Sequence, residues 1–235
     1  MTSNASSPDV TVHIESPTIR VLTYNVRHGQ GFAGAPANKR VARVVSNVAP
    51  TVVGLQEVWR AGSFYDQPML LSALTGMGAH YHSTHRTLAG ETGNLLLTAE
   101  TVHATERLDL GGRRESRGCI IADIEAAGVR FYFAVTHLSL HGRTRSAQLE
   151  MLAERLPHDR PLIVVGDFNC RYGELGALSQ RFTFATDPPP TYPSLMPFRT
   201  LDHIGYSEHW DLTTLLALPS LASDHLPLVG ELRLR

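Results

Sequence analysis

The sequence predicts an α+β fold in which packed β-sheets are flanked by helices, and three observations carry that expectation. Strand-like runs alternate with helical periodicity along most of the chain, with no obvious linker. A long hairpin interrupts the alternation, so the sheets must be mixed rather than purely parallel. A chain of 235 residues, 43% of them hydrophobic, supplies the sizeable core that such an architecture needs. No internal repeat at solenoid periods is present.

The elements follow in order. TIRVLTYNVR (18–27) reads as a strand, after which Val41, Val44, Val45 and Val48 recur at helical spacing until Pro50 stops the helix. TVVGLQEV (51–58) returns as a strand, 66–76 reads as a helix, and 79–85 and 93–99 read as strands. CIIADIEAAGVRFYFAVTHLSL (119–140) is a hairpin turning at Ala127 and Gly128. Leu149, Leu152, Ala153 and Leu156 mark an amphipathic helix leading to Pro161. The run at 162–165 is short, apolar and rich in β-branched residues, as suits a strand buried on both faces. A helical stretch at 173–182, a proline-rich loop at 188–193 and strands near 200–207 and 225–234 complete the chain.

Lys and Arg total 21 against 22 Asp and Glu, a net charge of −1, so no global field recruits a polyanion, although a local patch could. Cys119 and Cys170 form neither a disulfide framework nor a metal spacing, which fits a reducing compartment and an expected cytoplasmic location. The first residues lack the basic start and apolar run of a signal peptide, and no stretch has membrane-spanning length. Residues 1–15 are expected to be a flexible tail and 16–235 a single catalytic domain.

Polar residues recur where the strands end: Asn25, Glu57, His137, Asp167 and Asn169, followed by the pairs Asp202–His203 and Asp224–His225. Taken singly, each has an ordinary explanation as a turn residue, a surface acid or a hydrogen-bonded core histidine. Together they supply one chemistry. A hard divalent cation needs carboxylate, amide and carbonyl oxygens. Phosphoryl transfer needs that cation, donors for the nonbridging oxygens, and a group that orients or deprotonates water.

TYNVRHG, GLQEV, GNLLLT, RRESRG, THLSL, GDFNC, LDHI and SDHLP stand in the order seen in the endonuclease/exonuclease/phosphatase superfamily, which this chain resembles over roughly residues 18–232. The likeness is greatest to its short bacterial branch of metal-dependent hydrolases. It implies a four-layer αββα sandwich of two mixed sheets, with the site at one sheet edge. It also implies a Mg²⁺- or Mn²⁺-dependent phosphoesterase attacking a phosphodiester with water, the alternatives being a nuclease acting on DNA or RNA and a catalytically silent binding module. By matching motifs, Glu57 is the metal carboxylate with Asn25 beside it and Asp224 on the metal side. Asp167 and Asn169 orient water, His137 contacts phosphate, and His225 is a histidine held by Asp202. Asn94 is implied as an active-site neighbour, and either Arg114 or Arg117 as the phosphate-binding arginine. Arg143 and Arg145 are expected on a solvated surface. No tyrosine is matched to the substrate-facing one of some nuclease branches. His80, His82 and His85 are expected on an exposed edge rather than in a zinc site.

Overall fold

In the computed structural model, which describes residues 16–112 and 115–235, β1 (Thr18–Asn25) is buried over most of its length. It lies between β13 (Leu228–Leu234), antiparallel, and β2 (Val52–Ala61), parallel. The same sheet extends through β5 (Gly90–Thr98) to β4 (Gly78–Thr87), and on the other side to β12 (Trp210–Ala217), with the short β3 (Tyr65–Asp66) paired to β2. The second sheet runs in the order β10 (Thr183–Phe184), β11 (Asp202–Tyr206), β9 (Leu162–Asp167), β8 (Val129–His137), β7 (Arg117–Ala126) and β6 (Thr101–Gly111). Each sheet has one parallel pair, β1–β2 or β8–β9. A parallel pair requires a crossover, which α1 (Asn38–Val48) and α3 (Gly142–Arg155) supply. The expected tail at 1–15 lies outside the described residues, as do Arg113 and Arg114.

Strand alternation builds the four layers. Ile19 and Val21 join Ile120, Phe131, Phe133, Val165 and Trp210 between the sheets, while Leu22 and Tyr24 point outward to Val41, Val45 and Leu71 of α1 and α2 (Gln67–Thr75). On the far side Leu162 and Val164 meet Leu149, Leu152 and Leu178 of α3 and α4 (Ala177–Arg181). The sheets approach closely because residue 54 is glycine: a Cβ there would stand 2.7 Å from Val165 Cγ2 and 2.9 Å from Val135 Cγ2.

The expected hairpin is present, with Ala127 (φ 50°) and Gly128 (φ 74°) at its turn. The helix at 66–76 starts on Asp66, whose Oδ1 accepts from Met69 N at 2.9 Å. The helix expected at 173–182 is instead a 3₁₀ turn at Tyr172–Glu174 and the short α4, interrupted at Gly176, whose φ of 53° is not helical. β6 and β12 were not expected. Both are outer strands of their sheets, and β6 is exposed along most of its length, with only Leu108 and Leu110 buried. Among the described residues no helix is long and apolar enough to cross a membrane.

Candidate active site

Register assembles one wall of a cleft. His137 pairs with Asp167 across β8–β9, Asp202 pairs with Asp167 across β11–β9, and Gly118 beside Arg117 pairs with His137. On the facing sheet Asn25 ends β1, and Glu57 sits in a bulge between Leu55 and Val58. Glu57 (φ 54°), Asn169 (φ 52°), Arg27 (φ 44°) and His28 (φ 56°) are all left-handed without being glycine. Such conformations are costly and persist where the surroundings enforce them, commonly at functional sites. Gly166 sets up the end of β9: at φ 155°, a Cβ there would lie 2.0 Å from Thr136 O.

The two sheets are joined by Asn25, whose Nδ2 donates to Glu57 Oε1 (2.9 Å) and to Asp167 Oδ2 (3.0 Å). Asp167 Oδ1 accepts from Asn169 N at 3.0 Å. Its Oδ2 also faces His137 Nε2 at 3.4 Å and His225 Nε2 at 3.6 Å. His225 Nδ1 is 2.9 Å from Asp202 Oδ2, so the proton on Nδ1 is directed at that carboxylate. Arg117 NH1 lies 3.1 Å from His137 Nδ1. A guanidinium only donates, so Nδ1 accepts and the ring proton belongs on Nε2, toward Asp167. Asn169 Nδ2 donates to Leu138 O at 3.0 Å and stands 3.1 Å from His137 Nε2, a contact that then carries no hydrogen bond.

Electrostatics separate these groups. Burial pushes His137 well below its usual range, reinforced by Arg117 and His225, and keeps the ring neutral. Burial raises the Asp167 carboxyl, and His225 offsets this only in part, so the group stays above the usual carboxylate range. For His225, burial opposes the charge, but Asp202, Asp167 and Asp224 together outweigh it and lift the ring to about 10.

The cleft, of about 350 Å³, is lined by the expected Glu57, Arg117, His137, Asp167, Asn169, Asp224 and His225. Asn25 and Asp202 are buried behind it. Asn94 does not line it: its buried amide donates to Gly118 O (2.8 Å) and Val135 O (3.4 Å), and so holds the strands that carry Arg117 and His137. Of the two candidate arginines, Arg117 reaches the site and Arg114 lies outside the described residues. Arg145 bonds Ser139 O, Leu140 O and Glu174 rather than the cleft. His28, Tyr192 and Arg199 were missed, although they stand in the stretches TYNVRHG and TYPSLMPFRTLDHI. Tyr192 lines the cleft with its ring centroid 5.0 Å from that of His225. His82 departs from the expected exposed edge because β4 packs it against Gly118, and it is buried.

Residues 22–225 match the model of the endonuclease/exonuclease/phosphatase family. The chain belongs to that family. Members of the endonuclease/exonuclease/phosphatase family include phosphatases, nucleases and phosphodiesterases. The chain is 29% identical to the protein YbhP of Escherichia coli K12, over 92% of this chain and 97% of that one. Its fold is similar to that of a family structure from Beutenbergia cavernae (TM-score 0.80, 20% identity, 92% of this chain and 72% of that one). It is likewise similar to the human Nocturnin catalytic domain with bound sulfate (TM-score 0.75, 23% identity, 94% and 97%).

Proposed function

We propose that this chain is a divalent-metal-dependent phosphoesterase that hydrolyses a phosphodiester by direct attack of water. The observation that carries the reading is the setting of Asp167, a buried carboxylate fixed by Asn25 and Asn169 and faced by one neutral and one cationic imidazole. Burial strengthens its hold on a proton, as a general base for water requires.

Glu57 and Asp224 line the cleft with carboxylate oxygens, and Asn25 steadies Glu57, a donor set that fits a hard cation such as Mg²⁺ or Mn²⁺. Bound there, the cation would neutralise charge on phosphoryl oxygens. Asp167, Asp202 and His225 also bring ligand-type atoms within 4.8 Å of one another. That trio is the poorer metal site, because a cation would have to displace the proton shared by His225 and Asp202 at 2.9 Å. Asp167 takes the proton of the attacking water. His225, held cationic by Asp202, donates to a phosphoryl oxygen. Arg117 fixes His137 so that its Nε2–H steadies the charge on Asp167.

The test is release of nitrophenol from bis(4-nitrophenyl) phosphate and from 4-nitrophenyl phosphate, alongside cleavage of a fluorescent oligonucleotide, each with Mg²⁺, Mn²⁺ or chelator. Metal-dependent cleavage of the diester that fails in Asp167→Asn is the expected result. Full activity in chelator, or no cleavage of any ester, overturns the reading.

A further inference from the structure

Six of the twelve large apolar side chains exposed among the described residues belong to segments that carry cleft-lining residues: Phe32, Leu140, Leu195, Met196, Phe198 and Leu221, of which Leu140 itself lines the cleft. They fall in three groups. Leu140 lines the cleft just after β8. Phe32 and Leu221 are joined through the backbone, Phe32 N donating to Leu221 O at 3.0 Å, in the segments that follow His28 and precede Asp224 of the cleft lining. The other three form the tip of a loop whose two ends, Tyr192 and Arg199, both line the cleft. Scattered exposed apolar residues are ordinary, but a cluster around a polar pocket marks an interaction surface.

Slack in the loop does not account for the exposure. Tyr192 N donates to Arg199 O (3.0 Å), Arg199 N to Tyr192 O (2.9 Å), Met196 N to Pro193 O (3.2 Å) and Ser194 N to Asp224 O (2.7 Å). The Ser194 hydroxyl is buried and donates to Ser223 O at 2.8 Å. The fold therefore holds Leu195, Met196 and Phe198 outward at 63%, 75% and 72% exposure. At the foot of the same loop, the Arg199 side chain has no hydrogen bond or ion pair among the described residues.

From cleft to tip, then, the loop presents an unpaired cation followed by apolar side chains. An amphiphile has the matching order, an anionic phosphate followed by acyl chain. Leu140 in the cleft lining and three exposed apolar side chains on the loop anchored there also suit a surface better than a single dissolved ligand, because a lipid interface can bury them together. Four of the six are Leu or Met, which suit acyl chains, whereas stacking on bases calls for aromatic rings. We infer that the cleft takes its phosphate ester from a lipid surface, with the 191–199 loop as the docking element and Arg199 as the headgroup-phosphate contact. This deepens the proposed phosphodiesterase reading and rests on it.

The direct test is cosedimentation of the full chain with phosphatidylcholine vesicles in chelator, where no turnover is needed. Binding that persists in high salt is expected, since apolar insertion dominates. Leu195→Ser, Met196→Ser and Phe198→Ser combined should weaken binding by about 10²-fold. Leu216→Ser, at an exposed apolar residue on β12 outside the cleft, should leave it unchanged. The combined variant should also lose activity on short-chain phosphatidylcholine above its micelle concentration while keeping the rate on bis(4-nitrophenyl) phosphate. Absence of vesicle binding, unchanged binding by the combined variant, or salt-sensitive binding of single-stranded oligonucleotide weakened by the same substitutions would each overturn the inference. Vesicle binding without cleavage of any ester would instead count against the phosphodiesterase reading and leave the docking surface standing.

Discussion

Asp202→Asn isolates what a buried carboxylate does for a histidine. Asp202 is fully buried, 2.9 Å from His225 Nδ1, and its second oxygen has no partner among the described residues, so orienting and charging that ring is the role its contacts support. Asparagine keeps the shape and one hydrogen bond but removes the largest of the three carboxylate contributions, leaving only Asp167 and Asp224 to offset burial. The ring should fall from about 10 toward its ordinary range. The protonated fraction above neutral pH then drops. With the loss of a fixed orientation added, turnover should fall about 10²-fold. The sign sets the window. A histidine needed as a cation loses function as pH rises through its pKa, so the variant should lose activity at lower pH than wild type, which keeps it up to about 10, and the deficit should shrink as pH falls. The raised pKa likewise contributes stability in full below 6.5 and loses it through about 10. The assay is a pH–rate profile on a nitrophenyl diester at saturating metal. An unchanged profile would refute the reasoning, as would losses in Asp202→Asn and His225→Ala that multiply independently in the double variant.

Glu57→Gln should raise the metal concentration needed for half-maximal rate by about tenfold or more, read by metal titration, because it removes an anionic oxygen from a site with few carboxylates. Asp167→Asn should reduce turnover by about 10³-fold while substrate still binds by calorimetry, since an amide keeps the bond geometry but cannot take a proton; wild-type turnover would remove Asp167 from the chemistry. Gly54→Val should destabilise the fold by about 1–3 kcal/mol in urea unfolding, because its side chain would press into Val135 and Val165 between the sheets.

Interior strands were legible because their apolar runs record burial on both faces, as at 162–165. The outer strands β6 and β12 were not, since they have no such burial to record. Asn25, Glu57, His137, Asp167, Asn169 and Asp224 could be picked from sequence as polar residues closing apolar runs, and motif order suggested their roles. Tyr192 and Arg199 could not: they lie in an irregular loop, where no periodicity tells which side chain turns toward the cleft. The sequence by itself determined which chemical groups are present and that strands would hold several of them at an edge, because local hydrophobic pattern encodes strand ends. Only the tertiary structure decided the pairings. Asn25 meets Asp167 from a different sheet and His225 meets Asp202 across 23 residues, and the proton affinities of these groups follow from burial and neighbouring charge, which arise when the two sheets close on each other.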